Sequence, residues 1–277
     1  MSGRRKLRQR ALSFALDPHP LRTWTLWTIQ RRRLGTYDWR VDLGAVDRPA
    51  YAYCVREAAR LASRLGIDRI SVVEFGVAGG KGLLSLERHA AQLSESTGVT
   101  IDVYGFDTGR GLPPPSDYRD LPYHWQAGFF AMDEDALRGR LQRAELILGD
   151  IEETLGSFVE RHRPAPVGAV MHDMDLYSST TAGLRLFEVD EGHRLPRIFT
   201  YFDDIIGDEI ALYNDFTGER LAIAEFNQSH PTMKISPAYH LSWRGWAEWH
   251  HQIYVLHDFA HSRYNDFVSR ARQQLPL

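Results

Sequence analysis

Two apolar runs in this chain end in clusters of acids, and acids so placed can do chemistry. "AVMHDMDLYSSTTAGL", residues 169–184, follows its run with Asp173 and Asp175. "FTYFDDIIGD", residues 199–208, follows its run with Asp203 and Asp204. Glu74, Asp107 and Asp150 sit at or near the ends of three further apolar segments. Carboxylates gathered in one place repel one another and lose hydration. A bound cation, a ligand hydroxyl or a shifted pKa must offset that cost. The competing reading is that each acid merely caps the helix that follows.

The elements decide between these readings. "RISVVEFGV", "IDVYGFD", "ELILGD", "VGAVMHD" and "RIFTYFDD" are short apolar runs of the kind that form buried parallel strands. Helical patterns alternate with them: "DRPAYAYCVREAARLASRLGI", "GGKGLLSLERHAAQLSES", "DEDALRGRLQRA", "IEETLGSFVERH", "SSTTAGLRLFEV" and "GERLAIAEFNQS". In the first, Asp47 can cap, Pro49 suits the first turn and Gly66 follows the end. "HQIYVLH" is one more strand near the C-terminus. This alternation predicts an α/β fold: a doubly wound, mostly parallel, Rossmann-like sheet flanked by helices. Such sheets bind ligands outside the carboxyl ends of their strands. Glu74, Asp107, Asp150, Asp173, Asp203 and Asp204 then share one edge. Capping accounts for one such acid but not for six.

"VEFGVAGGKG", residues 73–82, joins a strand to a helix. Gly76, Gly79, Gly80 and Gly82 let backbone approach a ligand, and the helix start offers free N–H groups. The order is neither G-x-G-x-x-G nor a P-loop. Asp107, 31 residues after Gly76, ends the next strand, where an acid can take both ribose hydroxyls of a nucleoside. Two ligands fit, a nicotinamide dinucleotide or S-adenosylmethionine. Glu74 favours the second, since its charge would repel a pyrophosphate and suits sulfonium and ammonium groups.

The 277 residues, 43% hydrophobic, suffice for one domain with appendages. Residues 1–40 carry nine Arg and one Lys against Asp17 and Asp38, which leaves the remainder near −11 of a net −3. A solvated leader is the plainer reading of that arm, and nucleic-acid binding the sharper one. "RTWTLWTIQRRR" could lie on a membrane but reads better as a segment capping the domain. No stretch approaches a membrane span, no signal peptide is visible, and the single Cys54 forbids an internal disulfide. These features predict a cytoplasmic protein. The expected boundaries are a basic leader over 1–45, the Rossmann-like domain over 46–258 and a tail over 259–277.

"VEFGVAGGKG", "VYGFDTGRGLP", "GFFAMDEDALRGRL", "HDMDLYSST", "YFDD" and "GERLAIAEF" occur in the order of the macrocin O-methyltransferase family, which the chain resembles over about residues 68–235. The D-x-D-x-Y-x-S-T and D-D pair is the most specific part. The resemblance implies a class I S-adenosylmethionine-dependent enzyme that methylates a hydroxyl of a sugar-like small molecule. It also implies a divalent ion, usually Mg²⁺, held by Asp173, Asp203 and Asp204. Asp173 is the first candidate base and His172 the second, His172 reading equally as a packed strand-end residue. Glu74, Gly76, Gly80 and Asp107 match the cofactor loop and ribose acid. Asp150 and Ile151 fall where the adenine ring lies, although Asp150 could equally cap "IEETLGSF" in a box with Glu153. Asp175 and Tyr177 read as loop-fixing residues, and Thr180 as a local backbone partner. The chain departs from the family at Ile205, where an aromatic residue is usual, and at Arg110, often acidic.

Asp208 and Glu209 could add ligands but read better as a solvated loop. His250, His251, His257 and His261 lack the spacing of a zinc site. Trp243, Trp246 and Trp249 read as a helix face, and "LPPPSDYRDLPYHW", residues 112–125, as a loop that either closes over the site or simply lies on the surface. Two other functions stand beside the methyltransferase. A nicotinamide-dependent oxidoreductase would share the topology but lacks a convincing hydride-site pair. A non-catalytic module would use its basic arm to bind polyanions. The acceptor's identity and the oligomeric state, a homo-oligomer included, are left open.

Overall fold

The computed structural model describes residues 20–207, 209–242 and 247–269. The chain divides into two compact units, residues 1–49 and 50–277. In the first, α1 (Pro20–Arg32) carries the Trp-rich segment, with Trp24 and Trp27 exposed and the Arg31 guanidinium 5.3 Å from the Trp27 ring centroid. Then α2 (Tyr37–Leu43) starts at Thr36, whose hydroxyl accepts from the Trp39 N–H, and stops at Gly44 in the left-handed conformation. Residues 1–19 of the basic leader lie outside the described residues.

Next come α3 (Pro49–Arg64), β1 (Arg69–Phe75), α4 (Lys81–Thr97), β2 (Thr100–Asp107), α5 (Glu134–Arg138), β3 (Glu145–Leu148), α6 (Ile151–Gly156), α7 (Phe158–His162), β4 (Val167–His172) and α8 (Tyr177–Leu184). They are followed by β5 (Arg194–Phe202), α9 (Gly218–Ser229), β6 (Met233–Pro237), α10 (Tyr239–Ser242) and β7 (Ile253–Asp258). The sheet order is β3-β2-β1-β4-β5-β7-β6. Strands β1 to β5 run parallel, and β7 is antiparallel to both β5 and β6. The doubly wound, mostly parallel, Rossmann-like sheet is therefore present. Among the described residues no helix is long and apolar enough to cross a membrane.

Three expectations change. Strand β6 lies at the sheet edge, where Lys234, Ser236 and Pro237 are tolerated, and of its five residues Ile235 alone is buried. The helix expected over 133–144 covers only Glu134–Arg138. Beyond it the N–H groups of Gln142, Arg143 and Ala144 all point to Glu87 Oε1, which no helix would allow. The helix over 151–162 breaks at Ser157 into α6 and α7. Beyond β7, Phe259 N–H donates to Thr232 O, and the Arg263 guanidinium donates to Leu65 O at 2.6 Å.

The core lies around β1, β4 and β5, with Phe75, Phe158, Phe187 and Phe202 wholly buried. Strand β4 is buried on both faces along its length. Residue pairing sets Phe75 beside His172, and His172 beside Phe202. The next peptides continue the ladder, with Asp173 N–H donating to Phe75 O and Asp203 N–H to His172 O, each at 3.0 Å. The acids that follow these strands are thus side by side by construction. Gly76 joins this edge to the loop after β1. Its φ is +85°, and a Cβ there would stand 1.7 Å from the Asp173 carbonyl oxygen.

Gly98, at φ +74°, has open space where a Cβ would go. Gly98→Ala should lose only the left-handed strain, about 1–2 kcal/mol. Gly76→Ala adds a backbone collision and should lose distinctly more in urea unfolding; equal losses would contradict the packing described.

Candidate active site

The loop after β1 forms one half of the site. Ala78 N–H donates to Asp107 Oδ2 at 2.8 Å, and Gly109 N–H to Asp107 Oδ1 at 2.7 Å. Asp107 thus braces the glycine loop from the end of β2 and keeps lone pairs on both oxygens. Gly80 starts α4 at φ +76°, and a Cβ there would strike Leu137. Glu74 is buried; its Oε1 accepts from the Tyr51 hydroxyl at 2.9 Å, and a Cβ on Gly82 would overlap that same oxygen. The glycines at 76, 80 and 82 are therefore demanded by the protein's own packing.

The acids at the ends of β4 and β5 form the other half. Asp173, Asp203 and Asp204 each offer a carboxylate oxygen, and the three atoms lie within 4.8 Å of one another. Three carboxylate oxygens so close together suit a hard divalent cation, so these residues fit the ion that the family resemblance implies. Three tyrosines brace them. The Tyr51 hydroxyl lies 3.4 Å from Asp173 Oδ2, the Tyr201 hydroxyl donates to Asp203 Oδ1, and the Tyr213 hydroxyl to Asp204 Oδ1. Asp175 takes the left-handed conformation at φ +64°, which lets its N–H donate to Asp204 Oδ2 at 3.1 Å. Glu219, wholly buried at the start of α9, accepts from Asp204 N–H at 2.8 Å.

This crowding shows in the protonation. Burial, then the charges of Asp204, Asp173 and Asp203, push the Asp175 carboxyl up to about 9. Burial and the neighbouring Asp203 push Asp204 up to about 7, against the lowering effect of its bonds from Tyr213 and Asp175. Burial and the charge of Asp204 hold Glu219 well above the usual carboxylate range.

Two segments meet beside these acids. The loop from 112 to 129 is closed at its base by Leu112 N–H to Phe129 O and Gly128 N–H to Leu112 O. Asp120, wholly buried in it, accepts from the N–H and hydroxyl of both Ser116 and Ser178, which pins the loop to α8. Arg119 lies 4.5 Å from the Tyr177 ring centroid and bonds its hydroxyl. Tyr123 donates to Ala211 O at 2.7 Å, and His124 stands edge-on to Tyr213. The loop is therefore ordered and packed on the segment that follows the acid pair.

The predicted residues divide as follows. Asp173, Asp203 and Asp204 come together, and Asp107 braces the loop that contains Gly76 and Gly80. His172 is not brought to the cluster. It is wholly buried, stacked on Phe202 at 4.5 Å, and both ring nitrogens lack hydrogen-bond partners. Burial pushes its pKa down to about 3. Of its two readings, the packed strand-end residue is the one the structure shows. Asp150 caps α6 through Glu152 N–H, and Ile151 is partly buried against the core. Thr180 bonds Leu176 O. Glu209 is exposed, and Asp208, Trp243 and Trp246 lie outside the described residues. His257 pairs with the Tyr264 hydroxyl and His261 with backbone oxygens of Glu191 and Arg194, so both have structural partners.

Sequence reasoning missed Tyr51, Tyr201, Tyr213, Asp120 and Glu219. Tyr201 alone carried a signal, since two residues before Asp203 on a strand is the same face.

No protein-family model matches the chain, and no curated protein does. Among solved structures it is similar to the calicheamicin methyltransferase CalS11, with 20% identity, a TM-score of 0.49, and 76% of this chain and 85% of that one covered. It is also similar to the O-methyltransferase NovP, with 16% identity, a TM-score of 0.47, and 65% of this chain and 72% of that one covered. A third is the MycE methyltransferase, solved with Mg, SAH and mycinamycin VI, with 15% identity, a TM-score of 0.39, and 78% of this chain and 51% of that one covered.

The raised carboxyls give the metal-free protein a definite pH dependence. A folded carboxyl whose pKa exceeds its unfolded value binds more protons folded than unfolded over that interval, so stability falls as pH rises. Metal-free protein should lose stability from about pH 4 upward, through the Asp204 value near 7 and the Asp175 value near 9. Urea unfolding at stepped pH in chelator measures the slope; stability that holds constant or rises from about pH 5 to about pH 9 would contradict the crowding.

Proposed function

We propose that the protein is an S-adenosylmethionine-dependent O-methyltransferase. In this reading it uses a divalent cation, Mg²⁺ first, and an acceptor of sugar-like, polyhydroxylated chemistry. The observation that carries the reading is a juxtaposition. The acid triad and the Asp107-braced loop meet at Gly76, whose Cα packs on the Asp173 carbonyl.

When bound, the cofactor supplies an electrophilic methyl group, and the cation a Lewis acid that eases loss of a hydroxyl proton. The residues of this chain do the positioning. Asp107 accepts the ribose hydroxyls through the lone pairs left free by Ala78 and Gly109. Ile151 offers apolar surface for the adenine ring, beside Asp150. Asp173, Asp203 and Asp204 hold the cation. Asp173 is the proposed proton acceptor, since His172 is packed away in the core. Tyr51, between Glu74 and Asp173, ties the loop side to the acid side. The pinned loop 112–129 packs on the segment that follows the acid pair.

Two substitutions separate the halves. Asp203→Asn should lower turnover at least 100-fold and leave S-adenosylhomocysteine affinity within about threefold. Asp107→Ala should weaken that affinity by about 1.5–3 kcal/mol, the loss of a charged acceptor. Calorimetry with S-adenosylhomocysteine, in Mg²⁺ and again in chelator, tests the reading. Micromolar binding in both is expected, and no binding in either would overturn it.

A further inference from the structure

Glu219 occupies the first turn of α9, where an exposed acid would be an ordinary favourable charge at a helix start. This acid is turned inward instead. It has no exposed surface, and its charged neighbours are Asp204, Asp203 and Asp173. Among the described residues it does not belong to the triad of mutually close ligand atoms. It therefore stands behind the ligands.

What it grips is specific. Glu219 Oε2 accepts from the Asp204 N–H at 2.8 Å. On the other side, the Gln252 side-chain amide donates to the Asp203 carbonyl oxygen, also at 2.8 Å. These two atoms, the Asp203 C=O and the Asp204 N–H, belong to one peptide unit. Gln252 is itself nearly buried, 7% exposed, just ahead of β7. A peptide plane held at both polar atoms cannot rotate freely. This peptide is the link between two adjacent carboxylates that project toward the same place. Rotation of the plane would swing both.

Glu219 Oε1 is buried with no hydrogen-bond partner. Burying a carboxyl half-satisfied is costly, and the helix start would accept many cheaper residues. The contact with the Asp204 N–H gives the cost a purpose.

We propose that Glu219 and Gln252 are positioning residues. Together they clamp the Asp203–Asp204 peptide and so fix the direction of two cation ligands. This inference rests on the cation site of the reading above. Neither residue touches the ion, and the clamp acts through backbone.

The test reads Mn²⁺ affinity by the paramagnetic resonance signal of the free ion, S-adenosylhomocysteine affinity by calorimetry, and the thermal midpoint in chelator. Glu219→Leu and Gln252→Leu should each weaken Mn²⁺ binding about 10- to 100-fold, with cofactor-product affinity unchanged. Glu219→Gln keeps an acceptor oxygen at the same reach and should stay within about threefold of wild type. Glu219→Asp keeps the carboxyl but withdraws the acceptor, and should fall about tenfold.

Folded leucine variants with wild-type Mn²⁺ affinity would overturn the clamp. So would Glu219→Gln falling as far as Glu219→Leu, because the carboxyl itself and not the hydrogen bond to the Asp204 N–H would then matter. If the leucine variants do not fold, the Gln and Asp variants decide: Gln intact with Asp weak supports the clamp, and the reverse overturns it. Wild-type protein that binds no Mn²⁺ would overturn the cation site itself, an outcome distinct from the others.

Discussion

Mutual repulsion among buried carboxylates is the constraint on which the rest of this structure turns. Parallel strands β1, β4 and β5 end at one edge, and their ladder places Asp173 and Asp203 on adjoining peptides. Asp204, Asp175 and Glu219 crowd in behind them. Tyr51, Tyr201 and Tyr213 each bring a hydroxyl to an acid of the cluster. Neutral donors offset only part of such a charge density, and the remainder raises pKa values. A divalent cation would remove the same excess and let every acid ionise. The hydrogen bonds from Tyr201, Tyr213 and the Asp175 N–H hold the cluster together against that repulsion.

The two halves of the site are joined by small contacts. Gly76 leaves β1 and passes directly over the Asp173 carbonyl, so the glycine loop and the acid cluster share a backbone contact. Tyr51 makes a second link from α3, reaching both Glu74 and Asp173. Tyr213 makes a third, from Asp204 to His124 in the pinned loop. A shift on either side is transmitted through side chains that are packed, with little freedom to absorb it.

Much of this was legible in the sequence. Apolar runs ending in acids located five parallel strands, and their common edge followed from the alternation of strand and helix. Asp173, Asp203 and Asp204, marked by the runs they follow, do come together, and Asp107 does end β2 beside the glycine loop. His172 was not decidable, because β4 is buried on both faces and alternation cannot say which face a residue takes. Tyr51, Tyr213, Glu219 and Gln252 act on the acids from distant segments, and no local pattern marks such partners. Strand β6 was hidden by its polar edge residues, and the helix past Arg138 was overridden by the tertiary bonds to Glu87.

The most direct measurement is a calorimetric titration of metal-free protein with Mn²⁺ near pH 7.5, repeated in buffers of different ionisation heat. The acids as arranged should bind one ion per chain and release protons as they do so, since carboxyls raised to about 7 and about 9 must ionise. Asp203→Asn should abolish that binding. Absence of saturable binding at millimolar ion, or binding with no proton release, would contradict a carboxylate cluster built around a cation.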